Sequence, residues 1–236
     1  MLNNSIQSEL KRHSSKERAR SLSRFFKTGK GEYGEGDKFL GIRTPNLKKV
    51  VQKYYGRMSL RDVQSFLSSE IHEHRSFALE VLKKKYKKAK SKAEKEKILK
   101  FYLRNLRNVN NWDLVDTSAH YILGEWLIEH PQDKKVLYGL AKSNNLWEKR
   151  IAIISTFAFI HQNQFDDTLK ISMILLADKH DLIHKAVGWM LREVGKRDQA
   201  IEEKFLKSYS KIMPRTMLRY AIERFPEKKR KFYMKK

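Results

Sequence analysis

Two residues stand out for the chemistry that their types and spacing allow. Trp112 and Asp116 are four positions apart, which on a helix puts an indole and a carboxylate on one face about one turn from each other. An indole face attracts cations through its quadrupole, by about 0.5–2 kcal/mol depending on desolvation. A carboxylate beside it can stabilise positive charge that develops during a reaction, or orient an attacking water. Asp113 falls off this face, and no carboxylate pair of the kind used in ordinary glycoside hydrolysis is evident. Each residue also has a plainer explanation. A mid-helix Asp in a basic chain is most often a salt-bridge partner or solvated, and a Trp on an amphipathic helix is most often core.

Other chemistries fall away. There is no cysteine, which excludes disulfides, thiolate catalysis and Cys-ligated zinc. His72 and His74, at i and i+2, point to different helix faces and make a poor metal pair. Gly29-Lys-Gly-Glu-Tyr-Gly-Glu-Gly36 lacks the Gly-x-x-x-x-Gly-Lys order of a phosphate cradle and a preceding strand, so it reads as a flexible loop.

The elements that carry these residues read as helices. Val187, Met190, Leu191 and Val194 recur at helical spacing, and no run alternates as a half-buried strand would. Pro45 and Pro214 stand where helices begin, and Pro131 and Pro226 where they have ended. The expected helices cover 3–13, 15–27, 45–55, 59–69, 71–89, 91–107, 111–129, 132–143, 146–162, 165–178, 181–196, 198–211 and 214–225. A glycine-rich loop falls within 27–44 and a basic tail, frayed or a short helical end, at 227–236. Residues 75, 116, 150 and 185 stack in similar contexts at intervals of 41, 34 and 35 (116 − 75, 150 − 116, 185 − 150). A period near 35–45 residues suggests HEAT-like helix pairs. The expectation is an all-α superhelix, a solenoid forming one domain over 1–236, with a plain helical bundle as the alternative. In a solenoid, Asp116, Arg150 and Lys185 or residues a turn beyond them would face one concave groove.

Charge gives the partner. With 51 Lys or Arg and 27 Asp or Glu, the 236-residue chain carries 51 − 27 = +24, and its pI is near 10.0. Such a potential attracts a polyanion, nucleic acid first, because neutralised phosphates release condensed counterions; the plainer alternatives are a solubilising charge coat, or binding to acidic lipids or ribosomes. Runs such as Lys83-Lys-Lys-Tyr-Lys-Lys88 and Lys228-Lys-Arg-Lys231 read as solvated faces. The longest apolar stretch, Ile151 to Ile160, is half of what a bilayer needs, and the first ten residues have no signal-peptide core. A soluble, cytoplasmic protein is expected.

Four segments carry a resemblance: Phe39-Leu-Gly-Ile-Arg-Thr-Pro45, Asn111-Trp-Asp-Leu-Val-Asp116, Asn145-Leu-Trp-Glu-Lys-Arg150 and His184-Lys-Ala-Val-Gly-Trp-Met-Leu-Arg-Glu193. From about residue 20 to 225 the chain resembles the AlkD family of DNA alkylation-repair glycosylases, which have HEAT-like repeats. The resemblance implies excision of N3- and N7-alkylated purines from duplex DNA by a monomer with no metal or other cofactor. It also implies recognition without complete base flipping. It places the catalytic carboxylate at Asp116 and the lesion-facing aromatics at Trp112 and Trp189. Backbone contacts fall at Arg150, Arg192, Arg43 and Thr44, with Lys185 added by repeat register. The glycine loop is longer than in some members, and an aromatic at that wall is replaced by Phe25 or Phe26. Two rival readings are a non-catalytic relative that binds branched or distorted DNA, which loss of the aspartate would favour, and a HEAT scaffold for an acidic protein.

Overall fold

The computed structural model describes residues 2–235, and helices dominate it. Among the described residues there is no β-strand, only an isolated parallel bridge between Lys38 and Ile71. Two compact units divide the chain at Ser118/Ala119.

The first unit contains α1 (Leu2–Arg12), α2 (Lys16–Phe25), α3 (Thr44–Tyr54), α4 (Leu60–Leu67), α5 (His72–Lys88), α6 (Lys92–Arg104) and α7 (Trp112–Asp116). Local chemistry sets the helix starts. Ser59 and Asp62 form a reciprocal capping box on α4, Ser15 and Ser91 cap α2 and α6, and Pro45 occupies the first turn of α3. Such caps stabilise a helix by about 1 kcal/mol each. The long α5 is the spine: α3, α4, α6 and α7 all pack on it. Its Phe77, Leu79, Val81 and Leu82 are fully buried, each side chain contributing about 1.5–3 kcal/mol by leaving water.

The second unit opens on a π-helical segment, His120–Gly124. It continues through α8 (Glu125–Glu129), α9 (Lys135–Ala141), α10 (Leu146–Ser155), α11 (Phe157–His161), α12 (Asp166–Ile174), α13 (Asp181–Arg197), α14 (Gln199–Tyr209), α15 (Arg215–Ala221) and α16 (Glu227–Met234). Here α13 is the spine, against which α10, α12, α14 and α15 pack. The expected tail at 227–236 is a short helical end whose Tyr233 is buried against Phe225; its last residue, Lys236, lies outside the described residues.

Two expected helices are interrupted, at one kind of residue pair. Within 111–129 the break follows Thr117 and Ser118, whose hydroxyls donate to the Asp113 and Leu114 carbonyls at 2.7 and 2.6 Å. Within 146–162 it falls at Ser155 and Thr156, whose hydroxyls donate to Ile151 and Ile153, both at 2.7 Å. Hydroxyls that compete for helix carbonyls bend or end helices, a local effect invisible to hydrophobic periodicity.

The spine of the second unit is close-packed. A Cβ on Gly188 would land on the Met217 carbonyl oxygen and on Tyr220 Cβ across α13 and α15. Gly188→Ala is therefore expected to cost about 1–3 kcal/mol through overpacking. Urea unfolding checks this, and stability equal to wild type would show that α15 yields freely.

Candidate active site

In the first unit the site grows from α7. Asn111 caps this helix, its side-chain oxygen accepting the Trp112 N–H at 2.8 Å. Leu114 and Val115 are buried, which leaves Trp112, Asp113 and Asp116 half-buried at the unit's surface. Trp112 and Asp116 occupy the two ends of α7, one turn apart, as their spacing requires.

Trp112 belongs to an aromatic column. Its indole stacks on Phe26 with centroids 5.2 Å apart and planes 18° apart, and Phe26 stacks in turn on Phe39 at 5.2 Å. Phe39 stacks on the His72 ring at 4.6 Å. Phe25 meets Trp112 edge-on at 5.9 Å and is 62% exposed, unusual for so large an apolar ring. The column borders a recess of about 310 Å³, to which Thr44, Asp113 and Thr117 also contribute. Both candidate phenylalanines line this recess, Phe26 as the stacking partner of Trp112 and Phe25 as the exposed edge.

Beneath the column lies an ionic network absent from the sequence expectations. His72, at the start of α5, is buried between two carboxylates. Its Nδ1 donates to Asp37 Oδ2 at 3.0 Å and its Nε2 to Asp113 Oδ2 at 2.8 Å. Burial alone would push the imidazole down, but the hydrogen bonds and charges of Asp113 and Asp37 hold it up at about 9, so it is an imidazolium at neutral pH. Asp37 also accepts from Arg75 Nη2 at 2.5 Å and Asn111 Nδ2 at 3.2 Å. Burial would raise its carboxyl, and the bond from His72 with the charge of Arg75 holds it below the ordinary carboxylate value. Asp113 thus has its own partner, off the Trp112/Asp116 face.

The glycine loop is tied down at its C-terminal end, residues 37–42, just beyond the Gly29–Gly36 stretch. Glu73 is buried and accepts three backbone N–H groups, from Leu40 (2.9 Å), Gly41 (2.7 Å) and Ile42 (3.1 Å). Lys38 exchanges backbone bonds with Glu70 and His72, and Asp37 completes the tie. Gly41 has a φ of +78°, and a Cβ there would strike the Ser15 carbonyl and the Ala19 nitrogen of α2. His74 Nδ1 meets Ser69 Oγ at 3.0 Å rather than sharing a ligand with His72, and among the described residues no group of three side chains could hold a metal.

A pH dependence follows from His72. Its ordinary value of 6.5 is raised in the folded protein, so its stabilisation is fully present below pH 6.5 and is lost as pH rises through about 9. The charged groups around it are Asp37, Asp113, Arg75 and Glu73. Comparison with His72→Gln isolates its share: the gap in unfolding midpoint should be widest below pH 6.5 and close toward pH 9. A gap independent of pH would show that His72 is neutral.

The other expected residues of this unit, Arg43 and Thr44, are exposed at the start of α3, with Thr44 on the recess. The remaining four lie in the second unit. Lys185, Trp189 and Arg192 fall at i, i+4 and i+7, one face of α13, all part-exposed above a buried face of Ile183, Ala186, Val187, Met190 and Leu191. Lys185 pairs with Asp181 at 2.7 Å; Arg192 pairs with Glu223. Trp189 donates to Glu193 Oε1 at 3.0 Å, with Phe157 5.8 Å from its ring. Arg150 is buried, and its Nη1 donates to the Leu182 carbonyl at 2.6 Å, fastening α10 to the first turn of α13.

The chain is thus an all-α assembly of packed helices, strongly basic, with an indole and a carboxylate part-exposed on α7. The DNA alkylation repair enzyme family matches residues 6–225, and the chain belongs to it. No curated protein matches. Among solved structures, the chain is similar to a predicted DNA alkylation repair enzyme from Enterococcus faecalis: TM-score 0.73, 16% identity, covering 91% of this chain and 98% of that one. It is also similar to AlkD2 from Streptococcus mutans, with TM-score 0.56 and 16% identity over 90% of this chain and 99% of that one. A second Streptococcus mutans protein, smu.31, gives TM-score 0.54 and 19% identity over 96% and 100%. These likenesses show the fold, the all-α helical-repeat solenoid expected. Among the described residues no helix is long and apolar enough to cross a membrane.

Proposed function

We propose that this protein is a DNA glycosylase that excises cationic N3- and N7-alkylated purines, such as 3-methyladenine and 7-methylguanine, from duplex DNA. One observation carries the reading: Trp112 and Asp116 stand part-exposed at the two ends of α7, with the rings of Phe25 and Phe26 beside Trp112. An alkylated purine already bears positive charge and leaves as a neutral base with the electron pair of the glycosidic bond. It therefore needs no general acid. Water adds to the sugar carbon and releases a proton to solvent. A single carboxylate, Asp116, then suffices to stabilise the sugar cation and orient that water.

Trp112 and Trp189 face the lesion nucleotide, where indole faces favour a cationic base over a neutral one. Arg192, Lys185, Arg43 and Thr44 serve the DNA backbone directly; Arg150, buried and bonded to the Leu182 carbonyl, serves it by holding the first turn of α13, the helix that carries Lys185 and Arg192. A net charge of +24 supplies the long-range attraction, so log K for duplex should fall steeply with log salt. The deciding experiment incubates the pure protein with methylated duplex DNA and assays free 3-methyladenine and 7-methylguanine. Release of either supports the reading; silence on every N3- and N7-methylated substrate would turn it to DNA binding without excision.

A further inference from the structure

A helix of five residues cannot hold its own orientation. It makes about one internal backbone hydrogen bond, and isolated helices shorter than roughly 12–15 residues are marginal in water. What aims α7 must therefore be tertiary, and both residues flanking Trp112 are tied to the same place. Asn111 donates to Asp37 at 3.2 Å, and Asp113 accepts from His72 at 2.8 Å; Asp37 and His72 are themselves joined at 3.0 Å. The remaining oxygen of Asp113 is buried without a hydrogen-bond partner, so His72 supplies that carboxylate's compensation.

We propose that Asp37 and His72 are positioning residues for α7, a doubly bonded bridge from the glycine loop and α5 that sets where Trp112 and Asp116 stand. Two further features support this. Only an imidazole with both ring nitrogens protonated can donate to both carboxylates at once, and the two carboxylates are arranged to keep it so. The same ring stacks on Phe39 within the column that ends on Trp112, so the bridge fixes the ring's neighbours as well as its backbone. A buried ion network adds little net stability compared with an apolar core of the same shape, and its use as a registry device is the better-attested one. The effect on catalysis rests on the glycosylase reading; the effect on α7 does not.

The test uses the full chain labelled with 5-fluorotryptophan, whose four indoles give separate fluorine resonances, that of residue 112 assigned by Trp112→Phe. His72→Gln and Asp37→Asn are compared with wild type, helical content being checked by circular dichroism. The bridge predicts that each folded variant shifts or broadens the Trp112 resonance while the other three stay in place. It also predicts a fall on the order of 10- to 100-fold in single-turnover excision, the scale of an ångström-level misplacement. Affinity for unmodified duplex should stay within about twofold, because phosphate contacts supply it. If His72→Gln does not fold, Asp37→Asn, which keeps an oxygen facing Arg75, carries the test. An unmoved Trp112 resonance in the folded variants overturns the proposal. A moved resonance with wild-type excision overturns its catalytic consequence. A wild-type protein that excises nothing defeats the glycosylase reading alone, and the resonance still decides the bridge.

Discussion

Asp116→Asn should release alkylated bases on the order of 10²–10³-fold more slowly than wild type while binding duplex DNA within about twofold of it. Asparagine keeps the size and the hydrogen-bonding oxygen of the side chain and removes only its charge, so the comparison isolates electrostatics. The proposed excision would place positive charge on a sugar carbon, and a full negative charge nearby lowers such a barrier where a neutral amide dipole does not. Asp116 ends α7 half-buried, where water screens it incompletely. Single-turnover release of 3-methyladenine under saturating enzyme separates the chemical step from binding. An excision rate equal to wild type would remove Asp116 from the mechanism.

The second large effect is expected at Glu73. Its carboxylate receives three backbone N–H groups from consecutive residues, Leu40, Gly41 and Ile42, in a buried setting. Glu73→Gln leaves one acceptor oxygen and turns an NH₂ toward N–H donors, so at least one buried donor loses its partner. Charge-assisted bonds of this kind make the change worth about 2–4 kcal/mol. Urea unfolding measures it. A loss below about 0.5 kcal/mol would mean that the loop finds other acceptors and that Glu73 is not its anchor. The same variant should also disturb the Trp112–Phe26–Phe39 column, because the loop carries Phe39 directly before the three anchored amides.

The helices were legible because each spine buries a face at a helical period, as Val187, Met190, Leu191 and Val194 do on α13. The expected breaks at prolines were legible for the same reason. What periodicity misses is competition within a turn, and the hydroxyls of Thr117, Ser118, Ser155 and Thr156 each take a carbonyl that an unbroken helix would need. Trp112 and Asp116 could be paired from spacing alone, since one helix carries both. Lys185, Trp189 and Arg192 likewise share α13. The ionic bridge could not be read this way. Asp37, His72 and Asp113 lie on three segments, and nothing in a loop of glycines and charges marks Asp37 as different from Glu32 or Glu35, which turn back onto Gly29 and Gly31. The one available signal was weak: two histidines and a glutamate crowded at the start of an apolar helix, where acidic residues are ordinary and histidines less so. Arg150 was legible as a cation but not as a buried one, because its partner is a backbone carbonyl 32 residues away.

The anchored loop has a thermodynamic corollary. Glycine loses more freedom on ordering than any other residue, and Gly41, held by Glu73 between two anchored neighbours, gives up that freedom when the chain folds. A ligand arriving beside Phe25 and Trp112 then meets a surface already set, and no share of its association energy goes to freezing backbone there. Calorimetry on duplex DNA should accordingly return a heat-capacity change that matches the area of contact alone, without the excess that accompanies coupled folding.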